Sequence, residues 1–169
     1  QKTGIQWMNT LSQMGFGGIL ADDMGLGKTL QVIALLDAQK KKPNLVVCPS
    51  SLILNWQDEI EKFAPHLNVV CIYGSAAARS YLTTQIHECD IAVTSYDYLR
   101  RDIESLEKIQ FETVILDEAQ YIKNQKTKNA LSVKRLKSHH RFALTGTPIE
   151  NSLAELWSIF DFLMPDYLY

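Results

Sequence analysis

The sequence predicts an α/β domain built on a mainly parallel sheet with helices on both faces. Short apolar runs bounded by turn residues alternate along the whole chain with longer segments of helical spacing, so successive strands must be joined by crossovers. The chain has 169 residues, 46% hydrophobic and 21% charged, which is enough to bury one core and ordinary for a globular domain. No apolar run exceeds about five residues, far short of the ~20 that a membrane-crossing helix needs.

Taken in order, Ile5, Met8 and Leu11, with Gln6 or Trp7, predict a short amphipathic helix over 2–14, ended by Gly15, Gly17 and Gly18. Gly18 to Ala21 reads as a strand that enters a glycine-bearing loop, and the run from Leu30 to Leu36 reads as the helix beyond it. That helix stops at Lys40-Lys41-Lys42-Pro43, where cations suit its negative end and proline cannot continue it. Strands follow at 45–48, 68–72, 91–94, 112–117 and 141–145. Between and after them lie helices at about 52–63, 76–88, 96–101, 127–137 and 153–163, the last opened by a capping box from Ser152 to Glu155. Neither an internal repeat nor a long linker interrupts the pattern, so 1–169 is one domain. The opening Gln1-Lys2-Thr3-Gly4 has neither an initiator Met nor a secretion-type leader and is expected to be the cut edge of a longer protein.

Cys48, Cys71 and Cys89 are too few and too scattered for a zinc site or a disulfide framework; two lie inside strand-like runs and read as buried. They point to a reducing compartment, cytoplasmic in a bacterium or nuclear in a eukaryote, and not to secretion. The formal charge of −2 excludes a globally basic nucleic-acid binder. Its distribution is uneven, for no acidic residue lies between Glu118 and Glu150, where Lys123, Lys126, Lys128, Lys134, Arg135, Lys137 and Arg141 cluster.

Two motifs carry chemistry. Gly25-Leu26-Gly27-Lys28-Thr29 lies between a strand and a helix. It supplies glycines for close backbone approach, a lysine for phosphate charge, a hydroxyl for Mg²⁺ and a helix N-terminus behind them. Asp22 stands where the strict phosphate-loop pattern has its first glycine. Thr113-Val114-Ile115-Leu116-Asp117-Glu118 is an apolar strand ending in two carboxylates, one suited to the Mg²⁺ shell and one to activating water. Together they point to nucleoside triphosphate hydrolysis, and without an Asn-Lys-x-Asp guanine reader the nucleotide is expected to be ATP.

The blocks from Asp22 to Thr29, Asp117-Glu118-Ala119-Gln120 and Leu144 to Asn151 closely resemble motifs I, II and III of the Swi/Snf-type ATPases of helicase superfamily two. Val47 to Trp56 is similar to motif Ia and Val93-Thr94-Ser95-Tyr96 to motif Ib. The wording from Asp117 to Asn124 looks closer to the bacterial branch, and Asp22 is normal for the family.

The resemblance implies the N-terminal of two RecA-like lobes of a P-loop NTPase that moves on double-stranded DNA and acts on a DNA-bound protein cargo. The second lobe, absent from this chain, would supply the arginines that complete catalysis, so the lobe alone is expected to bind ATP·Mg weakly and turn it over negligibly. Carried over by residue, Gln1 would read adenine and Gly25, Leu26, Gly27 and Lys28 would cradle phosphate. Thr29 and Asp117 would hold Mg²⁺, Glu118 would activate water and Gln120 would sense the γ-phosphate. Thr145, Gly146 and Thr147 would couple nucleotide to DNA. Ser50, Asn55, Trp56, Thr94 and Ser95 would line the nucleic-acid path, joined on charge grounds by Lys123 and Asn124. Trp56, a large aromatic early in a helix, reads more readily as core than as contact. Two alternatives stay open: a strand-separating helicase lobe, and a non-catalytic scaffold gated by nucleotide.

Overall fold

The computed structural model describes residues 18–21, 26–124, 127–145 and 153–164. The predicted helix over 2–14 and the start of the capping box at Ser152 lie outside them. The strands are β1 (Gly18–Ala21), β2 (Asn44–Cys48), β3 (Val69–Cys71), β4 (Ile91–Ser95), β5 (Gln110–Leu116) and β6 (Lys137–Thr145). They form one six-stranded sheet in the order β1-β6-β5-β2-β4-β3, with every pairing parallel. The crossovers contain α1 (Leu26–Gln39), α2 (Ile53–Phe63), α3 (Ala76–Thr84), α4 (Tyr96–Leu106) and α5 (Lys128–Lys134), and α6 (Leu153–Leu163) follows β6. The expected fold class is the observed one.

Alternation along the strands divides the core into two layers, because successive side chains leave opposite faces of a strand. Val46 and Cys48 of β2, Ile115 of β5 and Phe142 and Leu144 of β6 pack against Val32, Ile33, Leu35 and Leu36 of α1 and Ile53, Trp56 and Ile60 of α2. Leu45, Val47, Val114, Leu116 and Ala143 face the other way, onto α4, α5 and α6. Phe111 and Phe142 are among the largest side chains that are fully buried, and each contributes about 1.5–3 kcal/mol of apolar transfer.

Several boundaries differ from expectation. The apolar stripe Tyr96, Leu99, Ile103 and Leu106 carries α4 one turn beyond 101, and all four side chains are buried. β6 begins at Lys137 instead of 141, because the polar stretch Lys137 to His140 pairs with Gln110, Phe111 and Thr113 of β5. The helix foreseen over 76–88 ends at Thr84 and resumes as a 3₁₀ turn, Ile86–Glu88, which buries Ile86. All three cysteines are free and buried, and burial pushes the Cys71 and Cys89 thiols up to about 11 and about 12. Among the described residues no helix is long and apolar enough to cross a membrane.

Candidate active site

The chemistry-bearing residues gather at the carboxyl ends of the strands, where ligands of open α/β sheets bind. α1 begins at Leu26, so Gly27, Lys28 and Thr29 occupy its first turn, which has no acidic residue. Its leading N–H groups and the positive end of its dipole face the site. Lys28 is only 3% exposed, and its Nζ lies 4.0 Å from Glu118 Oε1. A buried ammonium with so loose a partner suits an anion.

β5 ends at Leu116, and the sheet itself positions the next residue, for Asp117 N donates to Val47 O of β2 at 2.7 Å. The Asp117 carboxylate is almost buried and accepts from Trp56 Nε1 at 2.9 Å and from Glu118 N at 2.9 Å. Burial pushes its pKa above the usual carboxylate range; the Trp56 hydrogen bond and the Lys28 charge oppose the shift, while Glu118 reinforces it. A cation at this position would favour the ionised carboxylate. Glu118 sits in the left-handed region, φ 51° and ψ 57°, and the chain turns there into the 3₁₀ segment Ala119–Ile122. Gln120 Nε2 donates to Glu118 Oε2 at 2.6 Å, and Thr145 Oγ1 at the end of β6 donates to Gln120 Oε1 at 3.3 Å. A chain of contacts thus runs Lys28, Glu118, Gln120, Thr145.

Lys28, Thr29, Asp117 and Glu118 line a cleft of about 290 Å³. To the same cleft α2 and the residue before it add Leu52, Asn55, Trp56 and Glu59, spaced i, i+3, i+4 and i+7 on one helical face. One carboxylate and one hydroxyl, Asp117 and Thr29, fit Mg²⁺, which keeps several waters and takes its remaining oxygens from substrate phosphates. Among the described residues no group of three or more His, Cys, Asp or Glu could hold a metal by itself.

The expected nucleic-acid residues divide. Ser50, Asn55, Lys123 and Asn124 are exposed, Asn55 on the cleft wall. The side chains of the other three are buried and bonded within the fold. Trp56 is 2% exposed and bonded to Asp117. Thr94 is buried and donates from Oγ1 to Ile72 O, and Ser95 is buried as the N-cap of α4, accepting from Tyr98 N. Strand-end hydroxyls are consumed by the fold itself. The basic segment is also thinner than its composition suggests. Lys134 pairs with Asp161 at 3.1 Å, Arg135 with Glu107 at 2.9 Å, and Arg141 donates to the carbonyls of Phe162 and Leu136. Gln1, Gly25, Gly146 and Thr147 lie outside the described residues.

Sequence reasoning missed Glu59 and Tyr96. Helical spacing from Asn55 could have flagged Glu59. Tyr96 stands in the block similar to motif Ib but carries no expected role there; its buried hydroxyl donates to Asp117 O at 2.7 Å.

A family model described as "SNF2-related domain" matches residues 1–169. The TATA-binding protein-associated factor mot1 of Aspergillus fumigatus is 45% identical over 99% of this chain and 10% of its own length. An uncharacterized ATP-dependent helicase of Mycoplasma genitalium, MG018, is 44% identical over 99% of this chain and 17% of its own length. Among solved structures, the Sulfolobus solfataricus SWI2/SNF2 ATPase core in complex with dsDNA is 47% identical, with a TM-score of 0.88 over 97% of this chain and 35% of that one. The chain therefore spans only a fraction of each of these proteins.

Proposed function

The chain belongs to the family of SNF2-related domains, and from that premise we propose that it is the ATP-binding, N-terminal RecA-like lobe of a DNA-dependent ATPase that travels along duplex DNA and remodels protein–DNA complexes. The observation that carries this reading is the meeting of four groups from two distant segments on one cleft: Lys28 and Thr29 from the first turn of α1, Asp117 and Glu118 from the end of β5. Duplex DNA as the track is supported by the dsDNA bound to the similar Sulfolobus core.

In this reading the N-terminus of α1 and the Lys28 ammonium bind the β- and γ-phosphates, and their charge counts most where water is excluded. Mg²⁺, held by Thr29 and Asp117, would neutralise charge on the phosphate oxygens during transfer. Glu118 accepts the proton of the attacking water at its carboxylate. Gln120 holds that carboxylate in place and connects it, through Thr145, to the end of β6. A second RecA-like lobe closes over the cleft and supplies the remaining positive charge, and a DNA-bound protein is the cargo.

Glu118→Gln keeps the shape of the site and removes the base. General-base catalysis is typically worth about 10²- to 10⁴-fold, so DNA-stimulated turnover of the full-length protein should fall by that order while ATP affinity holds. Lys28→Ala should weaken ATP binding itself. The paired measurement is the ATP dissociation constant and DNA-stimulated turnover for both variants. Wild-type turnover in Glu118→Gln would refute its role, DNA-linked function left untouched by that variant would favour a scaffold, and strand displacement coupled to hydrolysis would move the protein to the strand-separating helicases.

A further inference from the structure

Asp117 is held from outside its own strand on both its side chain and its peptide. Trp56 Nε1 of α2 donates to Oδ2 at 2.9 Å, and the Tyr96 hydroxyl of α4 donates to its carbonyl at 2.7 Å. Both aromatic residues are 2% exposed. Trp56 otherwise packs in an apolar layer with Ile53, Ile60 and Val93, where a phenyl ring would need no polar partner at all. The indole N–H finds its acceptor on the one carboxylate that is both buried and part of the cleft lining among the described residues. That acceptor lies 61 residues away in sequence, so the bond is made by the packing of α2 on the sheet and not by local chain geometry.

We propose that Trp56 is a positioning residue for the divalent cation of the bound nucleotide: its indole N–H locks the Asp117 carboxylate in the orientation that takes the metal, and so ties metal affinity to the seat of α2. The proposal rests on the reading of Asp117 as the metal carboxylate. A carboxylate offers about four lone-pair sites. Trp56 and the Glu118 amide occupy one on each oxygen, which leaves both oxygens able to accept a further partner. Without the indole donor, Oδ2 loses the only bond that holds it from another element among the described residues, and the carboxylate can rotate away from the metal position. The same helix presents Asn55 and Glu59 to the cleft, so whatever displaces α2 also displaces this bond.

The test uses the full-length protein and a fluorescent, non-hydrolysable ATP analogue, titrated at a series of Mg²⁺ concentrations and again in EDTA. Outer partners of metal ligands typically set roughly 10- to 100-fold of metal affinity. Trp56→Phe should therefore raise the Mg²⁺ concentration for half-maximal tightening by at least about 10-fold while leaving the affinity in EDTA unchanged. Because Phe also leaves a smaller ring, a second variant carries the benzothiophene analogue of tryptophan, which replaces the N–H with sulphur and keeps the bicyclic shape. It should show the same shift. A wild-type Mg²⁺ requirement in the benzothiophene variant, together with a raised one in Asp117→Asn, would overturn the positioning role and leave the metal site standing. An unchanged requirement in Asp117→Asn would instead remove Asp117 as the metal carboxylate, and this proposal with it.

Discussion

Glu118 holds its side chain on a left-handed backbone, φ 51° and ψ 57°, a conformation that costs a non-glycine residue roughly 1–2 kcal/mol. Such strain persists only where its surroundings over-determine it, and here they do. Asp117 is bonded on both carboxylate oxygens and on its carbonyl, while Glu118 faces Lys28 with one oxygen and Gln120 with the other. Gln120 in turn is held from β6 by Thr145, so its amide has a fixed direction. A hydrogen bond to a charged group contributes roughly 1.5–3 kcal/mol. Gln120→Ala should therefore lower turnover by roughly 10- to 100-fold, with ATP affinity unchanged because neither Lys28 nor Thr29 loses a partner. Equilibrium binding beside steady-state turnover tests this, and an equal loss of binding would assign Gln120 to the ground state instead.

At the scale of elements, the far edge of the sheet depends on one arginine. Arg79 of α3 is 6% exposed, donates from Nε and Nη2 to the two Asp102 oxygens of α4 at 2.8 and 3.2 Å, and from Nη1 to Gly74 O at 2.6 Å. Its guanidinium lies 4.8 Å from the centre of the Tyr98 ring. Gly74 has φ 96°, a backbone that only glycine adopts readily, and the turn there brings its carbonyl to the arginine. Removing one member of a buried pair leaves the other without compensation, so Arg79→Ala should destabilise the protein by roughly 3 kcal/mol. Arg79→Lys should recover only part of this, since a point charge cannot span both carboxylate oxygens. Urea unfolding midpoints give the answer, and a loss below about 1 kcal/mol would mean that the pair behaves as an exposed one. Periodicity foretold a helix here but not its early end at Thr84. What stops it is tertiary: Ile86 turns into the core through the following 3₁₀ segment.

Over the whole molecule the charges are unevenly spread. The net charge is −2, yet all seven charged residues between Glu118 and Glu150 are basic. Lys134, Arg135 and Arg141 are engaged by the fold, whereas Lys123 is exposed. Removing a lysine that pairs with a DNA phosphate flattens the salt dependence of binding by about one unit of slope. Lys123→Ala should do so in the full-length protein, while Lys134→Ala should leave the slope alone and lower stability by stranding Asp161. Equal slopes for wild type and Lys123→Ala would return this surface to plain solvation. The parallel α/β class, the Gly-Lys-Thr turn and the Asp-Glu strand end were legible in the sequence, because apolar period and short motifs are written in neighbouring residues. The sequence could not determine that β1 lies beside β6 or that β2 lies between β4 and β5, since a period of two records that a strand is buried and says nothing of its partner. Those pairings bring Thr145 to Gln120 across 25 positions and accompany the packing that sets Trp56 against Asp117 across 61. The same packing turned Trp56, Thr94 and Ser95 inward, because a buried donor or hydroxyl must find its partner inside the fold before it can serve anything outside it.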